Sequence, residues 1–193
     1  CSCSGWAVKA FYNSLVCEIG EIIFSRAHAR IPIQVIRVFH VRQRHSLFFS
    51  GSRMSVRWYP EDLWQHTAPV LPGFTVEVLP RIDSTNTELM RRARAGQTEP
   101  ILLIAEDQTA GKGRQGRPWS NAPGSSLMCS LALPLAPRDW SGLSLAVGVA
   151  MAQALQPTDP NAALRIGLKW PNDLWLTDDR KLGGILIETA NLP

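Results

Sequence analysis

The sequence predicts an α+β fold: a mixed, largely antiparallel sheet covered by helices. Three observations carry that expectation. Ile101 to Ala105 is a continuous apolar run of the length of a buried strand. Two stretches, 85–95 and 140–155, carry helical signals. The strands expected at 173–176 and 182–188 are joined by the short polar turn Thr177-Asp178-Asp179-Arg180, in hairpin fashion.

The elements follow in order. Residues 1–53 lack an initiator Met and contain strand-like alternation from Ile31 to Val41, but no turn signal or capping box frames an element there. They read poorly as a domain. Translated sequence upstream of a start at Met54 fits them better than an Arg-rich presequence, because apolar content is high and the arginines mark no helical face. Residues 54–80 form a lead-in rich in Trp and Pro (Trp58, Pro60, Trp64, Pro69, Pro72), and ordered structure is expected to begin with the alternating strand Phe74 to Leu79. A helix over 85–95 is framed by Thr85 with Glu88 three residues on, a capping box, and by Gly96 as a stop. Asp107 to Pro123 is too rich in glycine and basic residues to be other than a loop, and Ser126 to Leu133 resumes a strand. In the helix over 140–155, Leu143, Val147, Ala150 and Ala154 share one face, with small residues that allow close packing on a sheet. Arg165 to Lys169 is the strand that precedes the hairpin.

Composition excludes several functions. With 45% hydrophobic and 19% charged residues the chain reads as globular. The net charge of +4 is uneven, since residues 1–53 hold seven Lys or Arg against two acids and the remainder thirteen against fourteen. Bulk charge therefore gives no support for DNA binding. Cysteines 1, 3, 17 and 129 show no C-x-x-C spacing, so neither a zinc site nor a disulfide framework is expected, and the compartment is read as reducing and cytoplasmic. No uncharged apolar run approaches the ~18 residues of a membrane span.

Four clusters carry chemistry. In Gly111-Lys112-Gly113-Arg114-Gln115-Gly116-Arg117, glycines separate three cations and let backbone N–H groups approach an anion. The letters match G-x-G-x-x-G, but Pro118-Trp119-Ser120 follows where a dinucleotide fold opens a helix; no Ser or Thr follows Lys112, as a P-loop requires. Lys169-Trp170-Pro171-Asn172-Asp173 lies at a strand end, and taken alone is an ordinary turn. Arg180 to Glu188 is a strand interrupted by Gly183 and Gly184, which marks a bulge or a close backbone approach. Asp83-Ser84-Thr85-Asn86 suits helix capping.

Taken together and in this order, the clusters resemble the signatures of the biotin–protein ligases: D-S-T-N, G-R-G-R-x-G-R-x-W, K-W-P-N-D and R-K-[LVI]-[AG]-G-I-L-x-E. The resemblance covers residues 81–188. Lys112 departs from it, keeping the charge of the loop's first Arg but losing the bidentate fork. What the resemblance implies is a fold similar to the class II aminoacyl-tRNA synthetase and biotin–protein ligase catalytic fold, with 81–193 as the N-terminal part of that domain, incomplete at its C-terminus. It also implies a ligase that activates biotin with ATP and Mg²⁺ to biotinyl-5′-AMP, then transfers biotin to a lysine of a biotin carboxyl carrier protein. By the same resemblance, Lys181 and Arg114 are catalytic, Lys181 bridging the biotin carboxylate and the phosphate. Ser84, Thr85, Asn86, Gln108, Lys112, Gly113, Arg114, Lys181 and Gly184 bind biotin. Arg114, Arg117, Trp119, Asn172, Asp173 and Lys181 bind ATP, Asp173 also holds Mg²⁺, and Trp119 and Trp170 wall the pocket.

Three alternatives stay open. A lipoate–protein ligase would run the same chemistry on another acid. A repressor function would need a helix-turn-helix, and nothing in residues 1–80 reads as one. An inactive fragment is the third.

Overall fold

The computed structural model describes the backbone of residues 33–38, and residues 58–120, 126–135, 140–156, 161–163 and 165–190 in full. The rest of residues 1–57 and the end of the glycine loop, 121–125, lie outside the described residues. Seven strands form one sheet: β1 (Ile33–Val38), β2 (Thr75–Leu79), β3 (Ile101–Ala105), β4 (Met128–Pro134), β5 (Ile166–Lys169), β6 (Asp173–Leu176) and β7 (Lys181–Ala190), in the spatial order β2-β3-β4-β1-β7-β6-β5. Only β2 and β3 pair in parallel; every other neighbouring pair is antiparallel. The mixed, largely antiparallel sheet expected from the sequence is present.

Two helices cover opposite faces, α2 (Thr85–Arg94) and α3 (Leu143–Leu155). The reason can be read from β3. Leu102 and Ile104 join Val147, Ala150 and Met151 of α3 in one buried cluster, while Ile101 and Leu103 join Leu89, Met90 and Ala93 of α2 in another. Alternate residues of a strand point to opposite faces, so a strand covered on both sides must be apolar throughout. All five β3 residues are buried. At Gly148 of α3 an added Cβ would lie 2.7 Å from Leu168 Cδ2, so glycine permits the close approach of α3 to β5.

Several boundaries differ from expectation. Order among residues 58–80 does not wait for Phe74: helix α1 (Pro60–Thr67) precedes it, with proline in its first turn, Glu61 and Asp62 beside it, and His66 near the C-terminal end. The Trp64 indole donates to the Phe74 carbonyl at 3.0 Å, tying α1 to the start of β2. The cap of α2 is Ser84, whose hydroxyl accepts from the Thr87 N–H, and not Thr85; Glu88 instead pairs with Arg91 and Arg92. Arg92 also reaches Glu77 on β2, and that hydrogen bond, with the pairing to Glu88, holds its guanidinium pKa above the usual arginine range. Gly96 ends the region at φ +95°, as its C-terminal role requires. Helix α3 starts at Leu143, after Gly142 in the left-handed region (φ 83°), because the backbone turn at that glycine must be completed first.

Candidate active site

The glycine loop and the β6–β7 hairpin face each other across one cavity of about 390 Å³. Lys112, Gly113, Arg114, Arg117 and Trp119 line it from the loop, Asn172, Asp173, Lys181 and Gly184 from the hairpin side. Local structure explains how the loop presents its cations. The Gly113 N–H donates to the Arg117 carbonyl at 2.7 Å, Trp119 N–H donates to the Gly111 carbonyl at 2.8 Å, and Lys112 bridges to Pro118. A one-turn 3₁₀ segment over Arg114–Gly116 lies between, with Gln115 (φ 57°) and Gly116 (φ 71°) both left-handed.

The hairpin supplies the opposite wall. Its register shifts beside Leu174 and Trp175, so that Leu174 pairs with Gly183 but Trp175 with Lys181. Such a bulge re-aims a side chain. Here Lys181 Nζ lies 2.7 Å from Asp173 Oδ1 and 4.9 Å from the centre of the Trp119 ring. A Cβ at Gly184 would meet Trp119 Cη2 at 3.4 Å, Asp173 Oδ1 at 3.5 Å and Lys181 Cε at 3.6 Å, so the glycine keeps the cavity floor open. Asn172 extends the ladder: its Nδ2 donates to the Ile185 carbonyl at 2.7 Å, which orients Oδ1 to accept from Arg114 Nη1 at 3.3 Å. Four cations, Lys112, Arg114, Arg117 and Lys181, line the cavity against one carboxylate, Asp173. That imbalance suits a polyanionic ligand.

The residues expected to bind biotin divide into two groups. Lys112, Gly113, Arg114, Lys181 and Gly184 line the cavity, whereas Ser84, Thr85, Asn86 and Gln108 are buried, at 5% exposure or less, and do not line it. Gln108 opens the stretch that leads into the loop and bridges to Ile82. Its Oε1 accepts from the Thr85 backbone N–H at 2.8 Å, while its Nε2 is buried with no partner among the described residues. The Asn86 amide is taken up by Glu188 and Ser130. Trp119 walls the cavity, but Trp170 is 80% exposed and borders an adjoining depression, with Trp140 and Ser144. Sequence reasoning missed Ser130, although a single hydroxyl inside the apolar run Leu127 to Leu133 is a readable signal.

Comparison with known proteins places the chain. The model of the biotin/lipoate A/B protein ligase family matches residues 78–191, more than half of its length and every element that builds the cavity. The chain belongs to that family. Among its ligase relatives, the bifunctional ligase/repressor BirA of Escherichia coli is 44% identical over 120 residues, covering 61% of this chain and 36% of that protein. The biotin–[acetyl-CoA-carboxylase] ligase of Mycobacterium tuberculosis is 38% identical over 119 residues, covering 60% of this chain and 44% of that protein. A crystal structure of biotin acetyl coenzyme A carboxylase synthetase from Helicobacter pylori, with bound biotinylated ATP, aligns with a TM-score of 0.47 at 28% identity over 59% of this chain and 58% of that one. The chain spans less than half the length of these two curated ligases. Among the described residues no helix is long and apolar enough to cross a membrane.

Proposed function

We propose that this chain carries the acid-activating site of a biotin–protein ligase, which joins biotin to ATP and then passes the biotinyl group to a lysine of a biotin carboxyl carrier protein. The observation that supports this reading best is the convergence of Lys112, Arg114 and Lys181 on one cavity. In the first step a carboxylate oxygen bonds to the α-phosphorus while the bond to pyrophosphate breaks. Two anions must meet, and fixed cations in a partly dry cavity offset their repulsion. Lys181 would sit between carboxylate and phosphate, with Asp173 holding its ammonium in place beforehand. Arg114, steadied by Asn172, and Lys112 would hold the phosphate from the loop, with Arg117 beside them. In the second step the lysine amine attacks the acyl carbon and AMP leaves.

The oxygens of Asp173 and Asn172 are the hard donors that suit Mg²⁺, and among the described residues no cluster of three ligating side chains would hold a metal alone. One carboxylate beside substrate phosphates is the usual arrangement for that ion. Bound there, Mg²⁺ would neutralise part of the phosphate charge.

Biotin over lipoate is supported by the relatives, which include biotin–[acetyl-CoA-carboxylase] ligases. The purified chain should catalyse biotin-dependent exchange of pyrophosphate into ATP; exchange driven by lipoate and not by biotin would move the reading to the lipoate branch. Residues 111–117 combine three glycines with three like charges, so the loop should become more ordered over a bound adenylate. Limited trypsin digestion at Lys112 and Arg114 is expected to slow several-fold when biotin and ATP are added together, and an unchanged rate would oppose loop closure.

A further inference from the structure

Beside the cation cavity lies a second depression, of about 300 Å³, with Arg114 and Asn172 on the border of both. The hydrogen bond from Arg114 to Asn172 therefore runs along their common edge. The two linings differ. The cavity is lined by four cations and Asp173, whereas the depression has Arg114 as its one ionic group and no carboxylate. Trp140 and Trp170 border it at 42% and 80% exposure, and Leu145, on the first turn of α3, adds to the apolar wall. Leu145 belongs to neither buried cluster. Large apolar side chains left in water around a concave spot mark a surface that a partner covers, and tryptophan is the commonest anchor of such surfaces.

The second step of the proposed reaction makes a demand of its own. A lysine is protonated in water, and only its neutral amine attacks an acyl carbon. Burial and a neighbouring cation both favour the neutral form, and the four methylenes of the stem pack well on apolar walls. The depression offers those walls and Arg114, while the adjoining cavity adds Lys112, Arg117 and Lys181 against Asp173 alone.

We infer that this depression is the port through which the acceptor lysine reaches the adenylate, with Trp140 and Trp170 as the ledge on which the lysine-bearing surface of the carrier protein rests. This rests on the biotin-ligase reading and deepens it, since the transfer step gains an entrance beside the place of acid activation. In that step the amine nitrogen bonds to the acyl carbon and the bond from that carbon to the phosphate oxygen breaks. AMP leaves with the electron pair, and the surplus proton of the amine passes to water.

Two assays on the full chain separate the steps: biotin-dependent pyrophosphate exchange for the first, and transfer from preformed biotinyl-adenylate to a biotin carboxyl carrier protein for the second. Trp140→Ala should leave exchange and the KM for ATP within twofold of the parent, while kcat/KM for the carrier falls about tenfold, the scale of a tryptophan anchor. Discharge of the adenylate by hydroxylamine, which needs no docking, should keep the parent's rate. Leu145→Glu sets a carboxylate in the wall, at a helix position that favours one, and should move the pH of half-maximal transfer upward by about one unit. Transfer untouched by Trp140→Ala would overturn the inference. So would equal losses in both steps, an unshifted pH profile in Leu145→Glu, or a raised KM for ATP, which would mark the depression as a seat for the adenine ring. Melting curves check both folds, and if Leu145→Glu melts early, Trp140→Ala at its exposed position decides alone. A parent that forms no adenylate from biotin removes the proposed function first and the port with it, whereas adenylate formed normally with transfer indifferent to Trp140 removes the port alone.

Discussion

Lys181→Ala should lower the rate of adenylate formation by roughly 100- to 1,000-fold, as losing one preorganised charge stabiliser does elsewhere. The size follows from the charges that must meet. Two unit negative charges about 4 Å apart, at an effective dielectric near 20, repel by about 4 kcal/mol. At about 1.4 kcal/mol per decade that repulsion alone would slow the step by roughly three orders of magnitude. Lys112 and Arg114 approach from the loop, but Lys181 alone comes from the hairpin side, so neither loop cation can occupy its place. The fold should hardly notice the change, because the Lys181 side chain is 36% exposed and its pair with Asp173 is partly wet. Single-turnover formation of biotinyl-adenylate, measured beside a melting curve, separates the two effects. A variant within threefold of the parent would remove Lys181 from the chemistry. Lys181→Arg keeps the charge but changes its shape, and recovery of part of the rate would show that charge dominates.

The sequence made the site legible in proportion to how local its determinants are. The glycine loop, the K-W-P-N-D turn and the Gly183-Gly184 interruption are each contiguous, and their residue types alone point to anion binding and a bulge; the register shift lies just before the glycines, at Leu182, between Lys181 and Gly183. Strands β3 and β6 are local as well, and their expected and observed bounds coincide. The row of hydrogen-bonded side chains Glu188, Asn86, Ser130, Thr85 and Gln108 was not legible. Its members come from α2, β4, β7 and the stretch after β3, and only the packing of α2 over the sheet brings them together. Thr85 shows how a local rule yields to this. Its residue type and Glu88 make a good capping box, but a hydroxyl needed at Ser130 and Gln108 cannot also cap, and Ser84 caps instead. Helix α1 was missed for another reason: three prolines among residues 60–72 suggest broken structure, yet Pro60 sits in the first turn, where its missing N–H costs nothing.

Interrupting β1 should lower stability and activity together. Sequence reasoning sets residues 1–53 aside, while the structure pairs Ile33–Val38 on both sides, with Pro134 to Cys129 of β4 and Ala190 to Ile185 of β7. Every backbone N–H of a strand paired on both edges is used in a ladder. Ile36→Pro removes one such donor from the middle of the strand and forces its ring against a neighbour, at a cost on the order of 3 kcal/mol. Since a whole domain is stable by only about 5–15 kcal/mol, the urea midpoint should fall visibly. The effect on chemistry is geometric. Hydrogen-bonded strands lie about 4.8 Å apart, so β1 holds β4 and β7 about 10 Å from each other. The loop with Lys112 and Arg114 enters β4, and Lys181 begins β7, so the spacing across the cavity depends on the strand between them. Pyrophosphate exchange should therefore drop at temperatures where the circular dichroism of Ile36→Pro is still that of a folded protein. A chain beginning at Met54 that keeps the parent's midpoint and exchange rate would show that β4 and β7 meet without β1, and would leave residues 1–53 outside the working enzyme.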